Sequence, residues 1–201
     1  MQFLPEATGL QILEDVEDLW TYVHSPTLAG LLSSRPIPIE LDVDRLLVVG
    51  DSAGGLLSAY LALSHPEDIR AGILAYPMID VRSDAFSTPR ENRITGLPLV
   101  PQSVLTDNLQ TLEKADIISS APPPSQSELT SAFFHYGMFT ELYERGSGNS
   151  PRRSGLFPLD KLRESETKLP RGGICIFHCL DDDAIPAEGS KKFAETAKAT
   201  M

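Results

Sequence analysis

Gly50-Asp51-Ser52-Ala53-Gly54-Gly55 has the spacing G-x-S-x-G, follows the apolar run Leu46-Leu47-Val48-Val49 and leads into a helix-forming stretch. A serine on a sharp turn between strand and helix is a nucleophile elbow. The serine hydroxyl is a poor nucleophile at neutral pH, so the turn must lift it clear of the sheet, within reach of a base and beside backbone donors. Small residues at Gly50 and Gly54 make such a turn sterically possible. Ser52 is therefore read as the nucleophile, in preference to a serine that only caps the following helix. The backbone N–H of Ala53 is the matching oxyanion donor, and losing a second donor costs on the order of 10²- to 10³-fold in rate.

A nucleophilic serine needs a base, and the base needs an acid to hold its tautomer. Asp181, Asp182 and Asp183 compete for the acid's place, although three adjacent carboxylates are commonly a solvated loop. The chain has four histidines. His24 ends the first helix, His65 ends the helix after the elbow, and His178 closes a strand just before the acids. His135 lies in Phe133-Phe134-His135-Tyr136, the only segment with freedom to approach Ser52 from above, yet a pocket wall or a surface place is the reading retained for it. None of the four follows the acids in the order Ser, Asp, His. Asp51 adjoins Ser52 and is assigned a structural hydrogen bond rather than a base's role. Phosphate binding by the Gly50–Gly55 loop would have a helix N-terminus to use but no lysine. Phe133, Phe134, Tyr136, Met138 and Phe139 suit an acyl pocket, with ordinary packing the preferred reading.

These residues need a scaffold. Ile12, Leu13, Val16, Leu19, Trp20 and Val23 fall at helical spacing with acids between them, which predicts an amphipathic helix. Past a turn at Pro36 and Pro38, Arg45 to Val49 reads as a first strand. Ala53 to Ser64 reads as a helix that His65-Pro66 stops, and Ile69 to Tyr76 as a second strand closed by Pro77. Strand, helix and strand make a βαβ unit, which predicts a parallel sheet covered on both faces. From about 81 to 168 prolines and glycines, including Pro122-Pro123-Pro124 and Gly146-Ser147-Gly148, interrupt the pattern, with helices expected over Ser103–Lys114 and Ser127–Glu144. With too few apolar residues for a core of its own, this stretch is expected to lie over the sheet as an insertion in one domain spanning 1–201. Gly173 to Cys179 resumes the sheet and Ala187 to Lys198 gives a final helix. The expected fold is α/β, a partial parallel sheet flanked by helices, with an unpaired side at the strand ending at Gly50.

Composition narrows the function. The chain has 201 residues, is 41% hydrophobic and carries a formal net charge of −11, with a pI near 4.7. Nucleic acid and anionic membrane surfaces would repel it. No apolar run is long enough for a membrane span, and the first residues lack the pattern of a secretory signal, which makes the cytoplasm the default expectation. The two cysteines, Cys175 and Cys179, would face one side of a strand but lie too far apart for a disulfide, and buried free thiols are expected. A metal site from Cys179, His178 and Asp181 lacks a second ligand cluster. No metal or organic cofactor is implied.

Taken in order, several segments resemble the α/β-hydrolase superfamily, and within it the hormone-sensitive-lipase-like esterases (α/β-hydrolase fold-3). Leu4-Pro5-Glu6 is similar to the family's L-A-P-E segment, Asp42 to Arg45 to its D-P-S-R lead-in, and Gly50 to Gly55 to its elbow. Tyr76-Pro77-Met78-Ile79-Asp80 resembles its Y-P segment. His178 to Pro186 resembles the H-G-x-x-D-x-x-V-P segment that carries the acid, and counting back from Pro186 the resemblance selects Asp182. It implies hydrolysis of small-molecule carboxylic esters of small or medium acyl chain. Ser52 would attack the carbonyl, a histidine would move its proton, and Asp182 would orient that histidine. The family's H-G-G-G oxyanion loop belongs upstream of Leu4 and its histidine beyond the helix after the acid. The expectation is therefore a chain cut at both ends that is not a competent esterase by itself. The alternative is a non-catalytic protein that binds acyl ligands or partners through the same fold.

Overall fold

Thr8 opens the first helix, α1 (Gly9–Val23), with a reciprocal cap: its side chain accepts from Gln11 N while Gln11 Oε1 accepts from Thr8 N at 2.9 Å. The computed structural model describes residues 3–90, 94–111 and 125–200. Leu13 and Val16 bury the apolar stripe of α1. A second helix, α2 (Pro26–Ser33), was not expected. Its local signal is Ser25-Pro26, a serine whose side chain accepts from Leu28 N at 3.2 Å and a proline in the first turn.

β1 (Leu46–Asp51) then passes without a loop into α3 (Ser52–Ser64), and β2 (Ile69–Ala75) returns parallel to it. After β2 come α4 (Asp84–Ser87), α5 (Gln102–Thr111), α6 (Ser125–His135), α7 (Phe139–Glu144) and α8 (Pro158–Leu162). β3 (Ile174–Phe177) joins β2 in parallel and α9 (Glu188–Thr200) follows. The sheet order is β1-β2-β3, so β1 is an edge strand among the described residues. The helix expected over Ser127–Glu144 is two helices. Gly137 separates them at φ +65°, and a Cβ there would stand 2.2 Å from the backbone of Thr88. The far end of the helix expected over Ser103–Lys114, like Pro122-Pro123-Pro124, lies outside the described residues.

Apolar packing fixes the layers. Ala59 and Leu63 of α3, Leu74 of β2, Leu162 of α8 and Phe193 of α9 form one buried cluster against Ile174 and Ile176 of β3. A second cluster joins Leu13, Leu56, Met78, Phe86, Phe139, Tyr143 and Leu156, locking α1 and α3 onto the segment after β2. A third, with Val100, Leu105, Leu129, Phe133 and Leu142, joins α5, α6 and α7 with the residue two before α5. Each large side chain so buried contributes about 1.5–3 kcal/mol relative to exposure.

The expectation of a sheet covered on both faces is corrected. Side chains alternate along β1 and β3, and those on the second face are open: Val49 is 64% exposed and Phe177 61%. The same alternation overturns the expected burial of the cysteines. Cys175 lies on the open face and Cys179 in the loop beyond it, and both are exposed.

Candidate active site

Ser52 stands where β1 becomes α3, with a backbone φ of +50°. A side chain in this left-handed region costs about 1–3 kcal/mol, a strain the surrounding structure must impose. Two contacts impose it. A Cβ on Gly50 would lie 2.2 Å from Gly54 O and 2.5 Å from Ser58 Oγ, and one on Gly55 would lie 2.6 Å from Pro77 Cβ. The sequence reading gave the tight turn to Gly50 and Gly54. Crowding falls instead on Gly50 and Gly55, since a Cβ on Gly54 would meet nothing closer than Asp51 Oδ1 at 3.6 Å. Met78 N donates to Ser52 O at 3.1 Å and ties the elbow to the chain leaving β2. Ala53, at the start of α3, has an N–H that the helix itself does not use.

Strand register sets what lies beside the serine. Asp51, Ala75 and Phe177 occupy one rung, so Ser52, Tyr76 and His178 each stand one residue past it at the carboxyl ends of parallel strands. Two strand spacings separate β1 from β3 there, about 10 Å. Tyr76, at φ +35°, donates its hydroxyl to Asp51 Oδ2 at 3.2 Å. That bond to Asp51 raises its phenol pKa, with smaller pushes from burial and from Asp182. Asp51 thus makes a structural hydrogen bond, as expected of it.

Asp182 Oδ1 accepts from Ala184 N at 3.0 Å and Ile185 N at 2.8 Å, while Oδ2 lies 3.6 Å from His178 Nε2. Asp183 faces away and takes Thr95 N at 3.1 Å and Thr95 Oγ1 at 2.7 Å, bonds that hold its carboxyl below the usual range. Asp181 is exposed.

A cavity of about 420 Å³ opens beside the elbow, lined by Ser52, Ala53 and Gly54 together with Leu56, Met78, Phe133, Phe134 and Phe139 among others. Three of the aromatic residues read from the sequence as packing thus form its wall. Residues 3–132 match the model of a family described as the α/β hydrolase fold.

The chain belongs to the α/β-hydrolase family.

This α/β-hydrolase is 30% identical over 198 residues to "Probable carboxylesterase M8" of Phoma sp., an alignment that takes in 96% of this chain and 59% of the relative. It is 36% identical over 96 residues to "Probable carboxylesterase clz11" of Cochliobolus lunatus, covering 47% of this chain and 44% of the relative. The chain thus spans less than two thirds of the length of either. A solved structure of a protein of unknown function from Staphylococcus aureus subsp. aureus Mu50 superposes with a TM-score of 0.63 at 18% identity, over 96% of this chain and 61% of that one. At that identity the likeness concerns the fold.

None of the four histidines of this α/β-hydrolase lines the cavity beside Ser52, and three of them have polar partners elsewhere. His24 Nδ1 bonds Trp20 O at 2.8 Å. His65 pairs with Glu17 at 3.1 Å and stacks on Trp20. His135 lines a small separate cavity with Ile94, Leu97 and Pro98. His178, its side chain 5% exposed, donates from Nε2 to Ile185 O at 2.7 Å and accepts at Nδ1 from Ser190 Oγ at 2.7 Å. Facing a carbonyl, Nε2 must carry the proton. Among the described residues, no cluster of three or more His, Cys, Asp and Glu could hold a metal ion. No helix among them is long and apolar enough to cross a membrane.

Sequence reasoning missed the residues that brace the acid loop. His178 holds it from the α9 side. From the other side Arg90 donates to Ala184 O at 2.8 Å, to Asp183 O, and to Ala85 O at 2.9 Å, while its own N–H bonds His135 O at 2.8 Å. The guanidinium of Arg90 therefore joins α4 to the loop carrying Asp182, and its backbone ties the same residue to the end of α6. Nothing local in Pro89-Arg90 signals this, because its partners in the acid loop lie more than ninety residues away in the chain.

Proposed function

We propose that this chain carries the nucleophile and acid of a carboxylic ester hydrolase, with Ser52 attacking the ester carbonyl and Asp182 orienting the imidazole that takes its proton. The observation that carries the reading is Ser52 itself, at φ +50° between strand and helix and opening onto an apolar cavity. Strain of this kind persists where surrounding contacts over-determine it, and here it holds a hydroxyl at the mouth of a pocket. The probable carboxylesterases among its relatives point to the same reaction class. Ser52 Oγ adds to the carbonyl carbon, and the Ala53 N–H donates to the oxygen that gains charge. The imidazole holds the serine proton and returns it to the departing alcohol, after which water releases the acid by the reverse path. The substrate is a small-molecule ester whose acyl part fills the apolar cavity.

None of the chain's four histidines lines the cavity at Ser52, and on this reading the chain alone turns esters over poorly. The same observation favours a second reading, in which the cavity binds acyl ligands without chemistry. Turnover of a p-nitrophenyl ester with and without added imidazole separates the two. The ester-hydrolase reading expects slow turnover that imidazole accelerates and that Ser52→Ala abolishes, with Asp182→Asn weakening the rescue. Imidazole-dependent turnover that survives Ser52→Ala would remove Ser52 from the chemistry. Binding without any turnover would leave the second reading.

A further inference from the structure

The strand that delivers Ser52 has a second edge. Among the described residues β2 is the one strand beside β1, and Leu46 to Gly50 make no backbone hydrogen bond outside that ladder. A row of unpaired N–H and C=O groups of this kind is a template for a further strand. The side chains along it alternate. Leu47, Val49 and Asp51 lie on the open sheet face, with Arg45 continuing the alternation just before the strand, and all four are exposed. In chain order they read cation, apolar, apolar, anion. Arg45 pairs with Asp42, three residues back, and its side chain is still 78% exposed. Asp51 takes the Tyr76 hydroxyl on Oδ2, does not cap α3, and has no partner for Oδ1 among the described residues.

We propose that two copies of the chain associate through this edge, β1 against β1, antiparallel about a two-fold axis at Val48. That match sets Leu47 opposite Val49 of the second copy and Arg45 opposite its Asp51, and the two-fold axis repeats both pairs. On the open face apolar meets apolar and cation meets anion, the pairings that stabilise neighbouring strands. Other registers lose this. Centred on Leu47, the match leaves Asp51 opposite Val43 and Arg45 opposite Val49. Centred on Val49, it sets Asp51 against Leu47. Centred between two residues, it lays the open face of one copy beside the covered face of the other. The opposite edge of the sheet offers no such match, because Cys175 and Phe177 on the open face of β3 carry no opposed charges. Pairing like edge with like edge closes at two copies. The formal net charge of −11 opposes association, and salt screens that long-range repulsion more than it weakens two short ion pairs.

The test is a charge swap between copies. Sedimentation of the native chain at physiological salt is expected to show a dimer at about 50 µM that dissociates on dilution. Amide exchange at Leu47 to Gly50 is expected to quicken as it does so. Arg45→Asp makes both charges of the edge acidic and Asp51→Lys makes both basic, so each variant alone is expected to dimerise at least about tenfold more weakly. Mixed in equal amounts they restore both opposite-charge pairs, and native mass spectrometry is expected to find the heterodimer, with an affinity close to that of the native dimer. The exchange measurement uses the native chain and decides the matter even if Asp51→Lys fails to fold. A native chain that stays monomeric at that concentration, grows beyond two copies, or exchanges its β1 amides at a rate indifferent to dilution overturns the proposal. So do variants that dimerise as the native chain does, or a mixture that associates no better than either variant alone.

Discussion

Paired substitutions at Gly50 and Gly54 probe the elbow, because the two glycines of one motif carry opposite expectations. A Cβ at Gly50 would lie 2.2 Å from Gly54 O, 2.4 Å from Gly54 C and 2.5 Å from Ser58 Oγ. Two of those atoms are backbone, so the first turn of α3 would have to move by about 1 Å, and overpacking of this kind costs about 1–3 kcal/mol even against side chains. Gly50→Ala is therefore expected to cost about 3 kcal/mol. Gly54 lies in the first turn of α3 without a left-handed φ, and the nearest atom to its Cβ is 3.6 Å away. Gly54→Ala gains helix propensity and is expected to stabilise by about 0.5–1 kcal/mol. At this chain length 1 kcal/mol corresponds to about 2–4 °C in Tm. Calorimetric melts should show Gly50→Ala falling by about 6–12 °C and Gly54→Ala rising by about 1–4 °C. Equal effects, or a harmless Gly50→Ala, would refute the assignment of the turn's crowding to Gly50.

Arg90→Met removes the donors to Ala85 O, Asp183 O and Ala184 O while keeping much of the stem, and is expected to cost about 1–2 kcal/mol in urea unfolding. Amide exchange should quicken at Ala184 and Ile185, and exchange unchanged there would deny Arg90 its bracing role. Tyr60 donates to Glu17 at 2.6 Å, and burial first, then Glu17, pushes its phenol up to about 12. Its contribution to stability is whole below the ordinary tyrosine pKa of about 10 and is lost as the pH climbs toward 12. Tyr60→Phe should flatten stability over that window, and an unaltered alkaline slope would count against it. Cys175 and Cys179 are exposed in the fold, so a thiol reagent should modify both in the native chain at rates close to those in urea. Strong protection of either would contradict the open sheet face.

The elbow was legible in the sequence because its chemistry and its geometry share six consecutive residues, Gly50 to Gly55. The parallel βαβ unit was legible for a similar reason: β1, α3 and β2 follow one another with their apolar periods intact. What escaped depends on distant partners. A strand such as Ile174–Phe177 shows the same apolar run whether one face is covered or two, so the exposure of Cys175 and Phe177 follows only from which helices pack where. The break at Gly137 is set by the approach of Thr88, some fifty residues earlier in the chain. The short helix α2 was hidden by its closeness to the prolines at Pro36 and Pro38, although Ser25-Pro26 announces its start. At the site, resemblance selected Asp182 among three adjacent acids, and what distinguishes the three in the structure is tertiary. Asp183 is turned toward Thr95, whereas Asp182 Oδ1 is taken by its own loop and Oδ2 is left beside His178 Nε2 at 3.6 Å.

The most direct test of Ser52 as a nucleophile awaiting an imidazole is labelling of the purified chain by a fluorophosphonate probe, read by intact mass, with and without imidazole and with Ser52→Ala as control. The expected result is little adduct from the chain alone, a single adduct on Ser52 when imidazole is supplied, and none from Ser52→Ala. Rapid stoichiometric labelling of Ser52 without imidazole would mean that one of His24, His65, His135 and His178 reaches the serine. No adduct under either condition from a folded chain would contradict the nucleophile itself.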